Sequence, residues 1–563
     1  MAESNKSGLD PKFEAMRRTL LGGLALGVLL SALDSTVVST SIGNITANLR
    51  GFELMAWVFS AYMLTSTIMI PVAGKFSDTY GRKPIYLLGM VLFLIGSALC
   101  GTATNMTQLI MYRAFQGIGG GMLFPVALAT VADLYAPSER GKIQGVMGGI
   151  WGFASVIGPF MGGWIVDNAH IANIDSWRWI FYINVPIGIA AIAVVLTKFP
   201  KTEKRETSID YAGLATLSLG LVMLLLITIW GGDTYDWLSW QIMALAAGSA
   251  ACLLLFAYAE TRAKDPIIPP FLFKESIFTI SAIAMFLMGV SMFGLLSFMP
   301  TYMQGVIGIS ATYSGAVLIP LTIMLVLGSF LAGSLMARFG YKIFAVLGTV
   351  IAATGLFMLS RLGVSPPIWV AILEMMVLGF GLGLTMQTYV VASQNAVSRK
   401  VVGTATSTLT LIRMLGATIG VTMLGVVMNH KFKESLHKQP VYPQIQALMS
   451  SPQLAPVLGG HEERLPSLLL NKDFMTHMPS IITNGIKVAF ADGISLLFII
   501  AACGAMAAFF VTLFLKNIPL QSAAEYHGKA GNGENPPAEN RDGDGKPGME
   551  KEQEHQSIEN PPK

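Results

Sequence analysis

Charge is what this sequence has least of. Asp, Glu, Lys and Arg supply only 12% of its 563 residues, about half the share of a soluble domain. The net charge of +4 is too small and too scattered to suggest nucleic-acid binding. Cysteine is almost missing. Cys100, Cys252 and Cys503 all fall inside apolar runs, so neither a disulfide framework nor a metal site is expected. No phosphate-binding loop, metal-spaced His/Cys group or nucleophile elbow is present, which leaves no motif for an enzyme. The charged N-terminus has no small-residue cleavage site after its first apolar run, which reads as a retained span.

What the chain has in abundance is apolar length. Hydrophobic residues make up 53% of it and the mean hydropathy is +0.59. Runs near 20 residues recur between polar breaks, the pattern of an all-α polytopic membrane protein. They predict fourteen spans at 19–47, 55–75, 85–103, 107–132, 143–166, 178–199, 209–231, 240–260, 277–300, 311–335, 343–361, 368–392, 402–428 and 488–515. Lys and Arg crowd alternate connections, among them Lys75, Arg82, Lys83, Arg140, Lys142, Arg338 and Lys342. By the positive-inside rule both termini are cytoplasmic. Residues 429–486 are expected as a long, accessory outer loop. Residues 521–563 are rich in Gly, Pro, Glu, Asn and Lys, a composition that stays disordered.

The loops carry a repeat. "GKFSDTYGRK" (74–83) and "GSLMARFGYK" (333–342) align Gly74, Gly81 and Lys83 with Gly333, Gly340 and Lys342, an offset of 259. "QGIGGGM" (116–122) and "LGFGLGL" (378–384) repeat at an offset of 262. Near-equal offsets imply a duplicated six-helix half. The organisation expected is an N-terminus over 1–18, halves at 19–200 and 276–516, two linker spans within 201–275, and a tail over 517–563.

Several residues carry chemistry. Asp34 sits in "LLSALDSTVVSTSIGNI", roughly 22 Å into its helix. Ser31, Asp34, Ser35, Ser41 and Asn48 share one side, so the stripe is expected to face a water-filled cavity. A carboxylate there can take a proton from one side and release it to the other, because desolvation raises its proton affinity. Removing so costly a charge is expected to leave the fold intact. The alternative is a polar contact between helices. Arg113 reads as an embedded cation tuning that acid, or as a snorkelling Arg near a span end. Glu374 is an acid in the second half's counterpart of the fourth helix, read as a second cavity carboxylate selecting cations or as an acid at the outer rim. Tyr62, Gln116 and Phe298 are cavity candidates, although core packing is the better reading for most such aromatic and Met residues. The glycines at 145, 158, 162 and 163 allow close helix approach and Pro159 kinks the backbone.

Taken together these motifs resemble the major facilitator superfamily, and within it the fourteen-helix drug:proton antiporters. "GKFSDTYGRK" is similar to the loop signature between the second and third helices, and "LIMYRAFQGIGGG" (109–121) to the fourth-helix motif. Gly145, Gly158, Pro159, Gly162 and Gly163 are similar to the fifth-helix antiporter motif, with Ala154 where Gly is usual. "LDSTVVSTSIGNI" resembles the subgroup's first-helix motif, with Ser39 and Gly43 replacing Asn and Pro. "WRWIFYINVPIG" (177–188) is a further mark. The resemblance, over about 15–520, implies a major facilitator fold of two six-helix halves plus two added helices. It implies a proton-coupled exporter of amphiphilic, cationic compounds in the cell membrane, needing no cofactor and acting as a monomer. Asp34, Arg113 and Glu374 would couple protons, and Asp34, Tyr62, Gln116, Phe298 and Glu374 would meet substrate. Gly74, Asp78, Gly81, Arg82, Lys83 and Arg140 would form a charged latch, one-sided because Ala337 matches Asp78 in the second half. No acid lies in the tenth or thirteenth spans, where some relatives carry one. Export of one lipid or metabolite, or a subunit role in a larger efflux assembly, are the other readings.

Overall fold

The computed structural model describes residues 11–49, 54–168, 175–199, 210–449 and 478–520, single positions 233, 310 and 365 excepted, together with Leu465. The tail beyond 520 lies outside the described residues. The long helices are α1 (Pro11–Leu49), α2 (Met55–Tyr80), α3 (Arg82–Thr102), α4 (Met106–Leu134), α5 (Pro137–Asn168), α6 (Asn184–Lys198) and α7 (Tyr211–Trp230). They continue with α8 (Trp240–Arg262), α9 (Ser276–Tyr302), α10 (Ile319–Phe339), α11 (Tyr341–Leu359), α12 (Ile368–Ala396), α13 (Val402–His437) and α14 (Ser480–Leu513).

Local chemistry sets many of the ends. Asn105, Asp210 and Ser239 cap α4, α7 and α8, each accepting from the backbone N–H three residues on. Gly81 and Gly340, at φ 94° and 78°, stop α2 and α10 and start the next helix at once, a backbone that only glycine adopts cheaply. Lys83 Nζ then donates to the Leu196 carbonyl at 2.8 Å, and Lys342 Nζ to Leu513 at 2.7 Å. The loop repeat is thus a repeated cap on the last helix of each six.

The packing repeats with the sequence. In α1–α6 the main pairs are α2 with α4, α3 with α4, α1 with α5 and α1 with α6; in α9–α14 the matching pairs are α10 with α12, α11 with α12, α9 with α13 and α9 with α14, and α14 packs as closely on α11 and α13. The two sets meet along α5–α10 and α2–α13. Helices α7 and α8 pair with each other, and α7 rests on α2 and α13 through Leu217, Leu221, Ile70 and Leu411.

Among the described residues twelve helices are long and apolar enough to cross a membrane. Fourteen long helices lie near the fourteen expected spans, but the count of helices that can cross stands at twelve, without α5 and α9. Helix α5 is rich in glycines that let neighbours approach, and the described apolar stretch of α9, Ser276–Met292, stops where its side chains leave the described residues. Both pack inside the bundle all the same.

Several expected boundaries move. Helix α1 begins before the span expected at 19. Arg17 is buried there, over the Tyr135 ring at 4.1 Å and 3.5 Å from Glu139, so this part of the N-terminus is docked. The outer loop expected at 429–486 is shorter, since α13 runs on to His437 and α14 starts at Ser480. Ion pairs Lys431–Glu434 and Lys438–Glu434 support the added turns. Phe432, Leu436, Ile445 and Leu465 are buried in the core of α9–α14, so the described parts of the expected loop pack into that core.

Candidate functional site

Asp34 anchors a polar site inside α1–α6. Its Oδ2 accepts from Arg113 Nη1 of α4 in a short ion pair. Its Oδ1 accepts from Gln116 Nε2 at 2.8 Å and from Asn184 Nδ2 of α6 at 3.2 Å. Asn184 donates as well to Ser97 Oγ at 3.0 Å, and Ser97 to the Phe181 carbonyl at 2.8 Å. Arg113 has further acceptors, Gln116 Oε1 at 2.8 Å and the Val58 carbonyl at 3.3 Å. Its guanidinium lies over the Tyr62 ring at 4.3 Å, a cation–π contact, while Ser31 and the Tyr62 hydroxyl share a 3.3 Å hydrogen bond.

The glycine run of α4 makes this possible. A Cβ on Gly120 would stand 2.3 Å from the Tyr62 hydroxyl, and one on Gly117 would stand 2.5 Å from the Tyr62 carbonyl. These glycines seat Tyr62 beside Arg113 rather than binding a ligand.

Asp34 is 2% exposed and Arg113 1%. The expectation that Asp34 faces a water-filled cavity is therefore corrected: its carboxylate is occupied by three donors from two other helices. The polar stripe serves helix contacts, with Asn48 Nδ2 donating to Asp175 Oδ1 at 3.4 Å and Ser41 to its own helix. The snorkelling reading of Arg113 falls with the same numbers.

A second site joins the two six-helix sets at the end of the bundle where α2 meets α3. Asp78 pairs with Arg82 at 2.6 Å and accepts from Gly403 N at 3.2 Å, Thr404 N at 2.6 Å and Thr404 Oγ1 at 2.6 Å. It therefore caps the first turn of α13, satisfying free N–H groups and complementing the helix dipole. Arg82 also holds Asp133 at 2.7 Å and Ser77 at 2.7 Å. Gly74 clears the way, for a Cβ there would stand 1.9 Å from Ser407 Oγ of α13. The repeat-related contact is Gly333 of α10 against Gly141 of α5. Deeper in, Gln144 of α5 donates to Gln394 of α12 at 2.8 Å, and Gln394 to Thr406 of α13 at 2.9 Å.

Of the charged group expected there, Asp78 and Arg82 come together, while Lys83 lies elsewhere. Lys83 is engaged at the end of α6, and Arg140 donates to the Tyr135 carbonyl at 3.0 Å. Gly145 packs on Ser329 between the two sets, but Gly158 packs on Thr36 of α1 inside the first. Gly162 is buried, and the side-chain positions of Pro159 and Gly163 lie outside the described residues.

Glu374 and Phe298 stand apart from Asp34, in the core of α9–α14. Glu374 is 6% exposed, Oε2 has no partner among the described residues, and it lies by Tyr302, whose hydroxyl donates to Gly363 at 2.6 Å. Leu378, one turn on, packs on Gly355 of α11. Phe298 lies against Gly425 of α13. Sequence reasoning overlooked Asn184, Asp133, Gln144, Gln394 and Arg413. Each is a polar or charged residue inside or beside an apolar run, which is the signal that singled out Asp34.

Two pseudo-equivalent six-helix sets, a buried Asp–Arg pair in the first and an ion-pair cap between them define a membrane transporter. The chain belongs to the Major Facilitator Superfamily, which it matches over residues 24–421; it is a multi-pass membrane transporter and not an enzyme. It is 37% identical over 522 residues to the multidrug transporter protein MdtP of Bacillus subtilis, covering 90% of this chain and 95% of that one. Multidrug resistance protein 3 of the same organism is 35% identical over 519 residues, covering 92% and 98%. Among solved structures, the human organic anion transporter MFSD10 aligns with TM-score 0.56 at 15% identity, covering 90% of this chain and all of that one, and the proton:xylose symporter XylE aligns with TM-score 0.56. At such identity these two show the fold alone.

Proposed function

We propose that this chain is a fourteen-span, proton-coupled antiporter that exports amphiphilic drugs or toxic compounds by alternating access of its two halves. The buried Asp34–Arg113 pair carries the proposal. Protonating Asp34 removes the counter-charge of Arg113, whose remaining bonds to Gln116 and Val58 hold it in place while the α1–α4 contact weakens. One proton thus changes how first-half helices are held together, and its release restores the pair.

The multidrug names of both Bacillus relatives support the substrate range. The spread of Lys and Arg supports cytoplasmic termini in the cell membrane, with halves at 19–200 and 276–516 around linker spans 201–275. On that orientation the Asp78 cap closes the cytoplasmic end, as an outward-facing state requires. The chain works as a monomer in this reading. A preference for cations rests on Glu374, because Asp34 is occupied. Efflux of a fluorescent dye from proteoliposomes under an imposed pH gradient tests the reading. Transport that follows the gradient, and stops in Asp34→Asn, is expected; dye movement indifferent to the gradient overturns proton coupling.

A further inference from the structure

Arg413 is a cation that the Asp34 site and the Asp78 cap do not use. It stands eleven residues beyond the start of α13 at Val402, roughly 17 Å along the helix. Among the described residues it has no ion-pair or hydrogen-bond partner. It points inward. Thr410 and Ala417, one turn to either side, are 3% and 4% exposed, and Thr406, two turns back, belongs to the Gln144–Gln394 chain between the halves. Arg413 itself keeps part of its surface open while protein surrounds it. Its guanidinium is therefore carried on the inward face that Thr406 and Thr410 share, and is partly open there.

A second polar group shares that level. Helices α12 and α13 turn back on each other and are bonded at Gln394–Thr406. Gln387 lies seven residues before Gln394, as Arg413 lies seven after Thr406. Both are about 10 Å deeper than that bond. Gln387 is buried, faces Gly148 of α5, and its carbonyl Oε1 has no partner among the described residues.

An unpaired guanidinium inside a membrane is costly and cannot shed its proton. Asp34 is held by Arg113, Asp78 by Arg82 and α13, Asp492 by Ser435 and Glu260 by the Ile267 and Ile268 N–H groups, while Glu374 lies beside Tyr302, thirteen residues before Gln387 on α12. None of the described acids acts on Arg413, which leaves room for an anion from outside the chain. A guanidinium fork matches a carboxylate in two parallel hydrogen bonds, and the Gln387 amide at the same level offers a further donor.

We propose that Arg413 and Gln387 form an anion subsite in the transport path, taking the carboxylate of an amphiphilic substrate. The proposal rests on the transport reading above and refines it, because substrates with a free carboxylate join those selected by a carboxylate of the protein.

The test pairs a xanthene dye bearing a free carboxylate with its ethyl ester. Binding to the purified full-length chain is followed by fluorescence anisotropy with no gradient present. The wild type is expected to favour the acid over the ester. Arg413→Gln should weaken the acid by about tenfold or more, the scale of a lost charge-assisted hydrogen bond, and leave the ester within twofold. Arg413→Lys should recover part of the loss, and Gln387→Leu should show a smaller loss confined to the acid. Equal loss of both dyes, no change in either, or failure of the wild type to bind the acid overturns the subsite. Uptake of the ester under a pH gradient is measured separately. Its absence counts against export, whatever the anisotropy shows.

Discussion

At the residue scale, the Asp34–Arg113 pair reverses what the sequence suggests about stability. An isolated carboxylate in an apolar run is a cost that Asp34→Asn would remove. In the structure the same change strips a buried guanidinium of its counter-charge, and breaking one partner of such a pair costs about 3–5 kcal/mol. Asp34→Asn is therefore expected to lower the unfolding temperature of the detergent-purified protein as well as uncouple it. The double variant Asp34→Asn/Arg113→Gln should lie closer to wild type in stability than the sum of the single changes, because it removes both charges. Additive losses would show that the pair is energetically independent. Asp34 and Arg113 are legible in the sequence as charges in apolar surroundings. That they meet is not, because the contact joins residues 79 apart in the chain. Asn184 and Arg413 give the same kind of signal; no family motif drew attention to Arg413.

Elements show where helical periodicity stops being informative. Span centres follow from hydropathy, but the ends of α13 and α14 do not. Charged turns stabilised by Lys431, Glu434 and Lys438 carry α13 past its apolar part. This changes what can be cut from the loop. Deleting 451–464, which leaves Leu465 and both helix ends in place, is expected to preserve dye efflux. Removing 438–449 takes away buried Ile445 and should destabilise α14, by about 2–5 kcal/mol for a buried aliphatic lost to a cavity. Thermal unfolding of the two deletions in parallel checks this; equal stability would mean that the Ile445 contact contributes nothing. The Asp78 cap also belongs to this scale. Asp78→Asn keeps one carbonyl acceptor but loses the charge that pairs with Arg82 and complements α13. Turnover should fall while substrate affinity stays within a few-fold, and Thr404→Val should move it the same way by less, since the Thr404 N–H remains. A collapse of affinity with normal turnover per bound substrate would place Asp78 in the binding path instead.

For the whole molecule, the duplicated loop suggests two similar halves; four pairings of α1–α6 recur in α9–α14, while the close pairing of α13 with α14 does not. Which helices touch across the interface was beyond a sequence without partners to compare. It depends on glycines whose role shows only when a second backbone arrives: Gly74 against Ser407, Gly141 against Gly333, Gly145 against Ser329. These contacts hold one end of the bundle shut, and alternating access requires them to part. A Cβ on Gly145 would stand 3.2 Å from the Ser329 Cβ, within a few tenths of an ångström of disulfide geometry. Gly145→Cys/Ser329→Cys, made with the three native cysteines replaced, should therefore close a bond under mild oxidation. Oxidised protein in proteoliposomes is expected to stop transporting dye, to keep binding dye offered from the side still open, and to recover transport on reduction. Transport at the unoxidised rate with the bond formed would show that α5 and α10 stay together through the cycle, and that access alternates by some motion other than separation of the halves at this end.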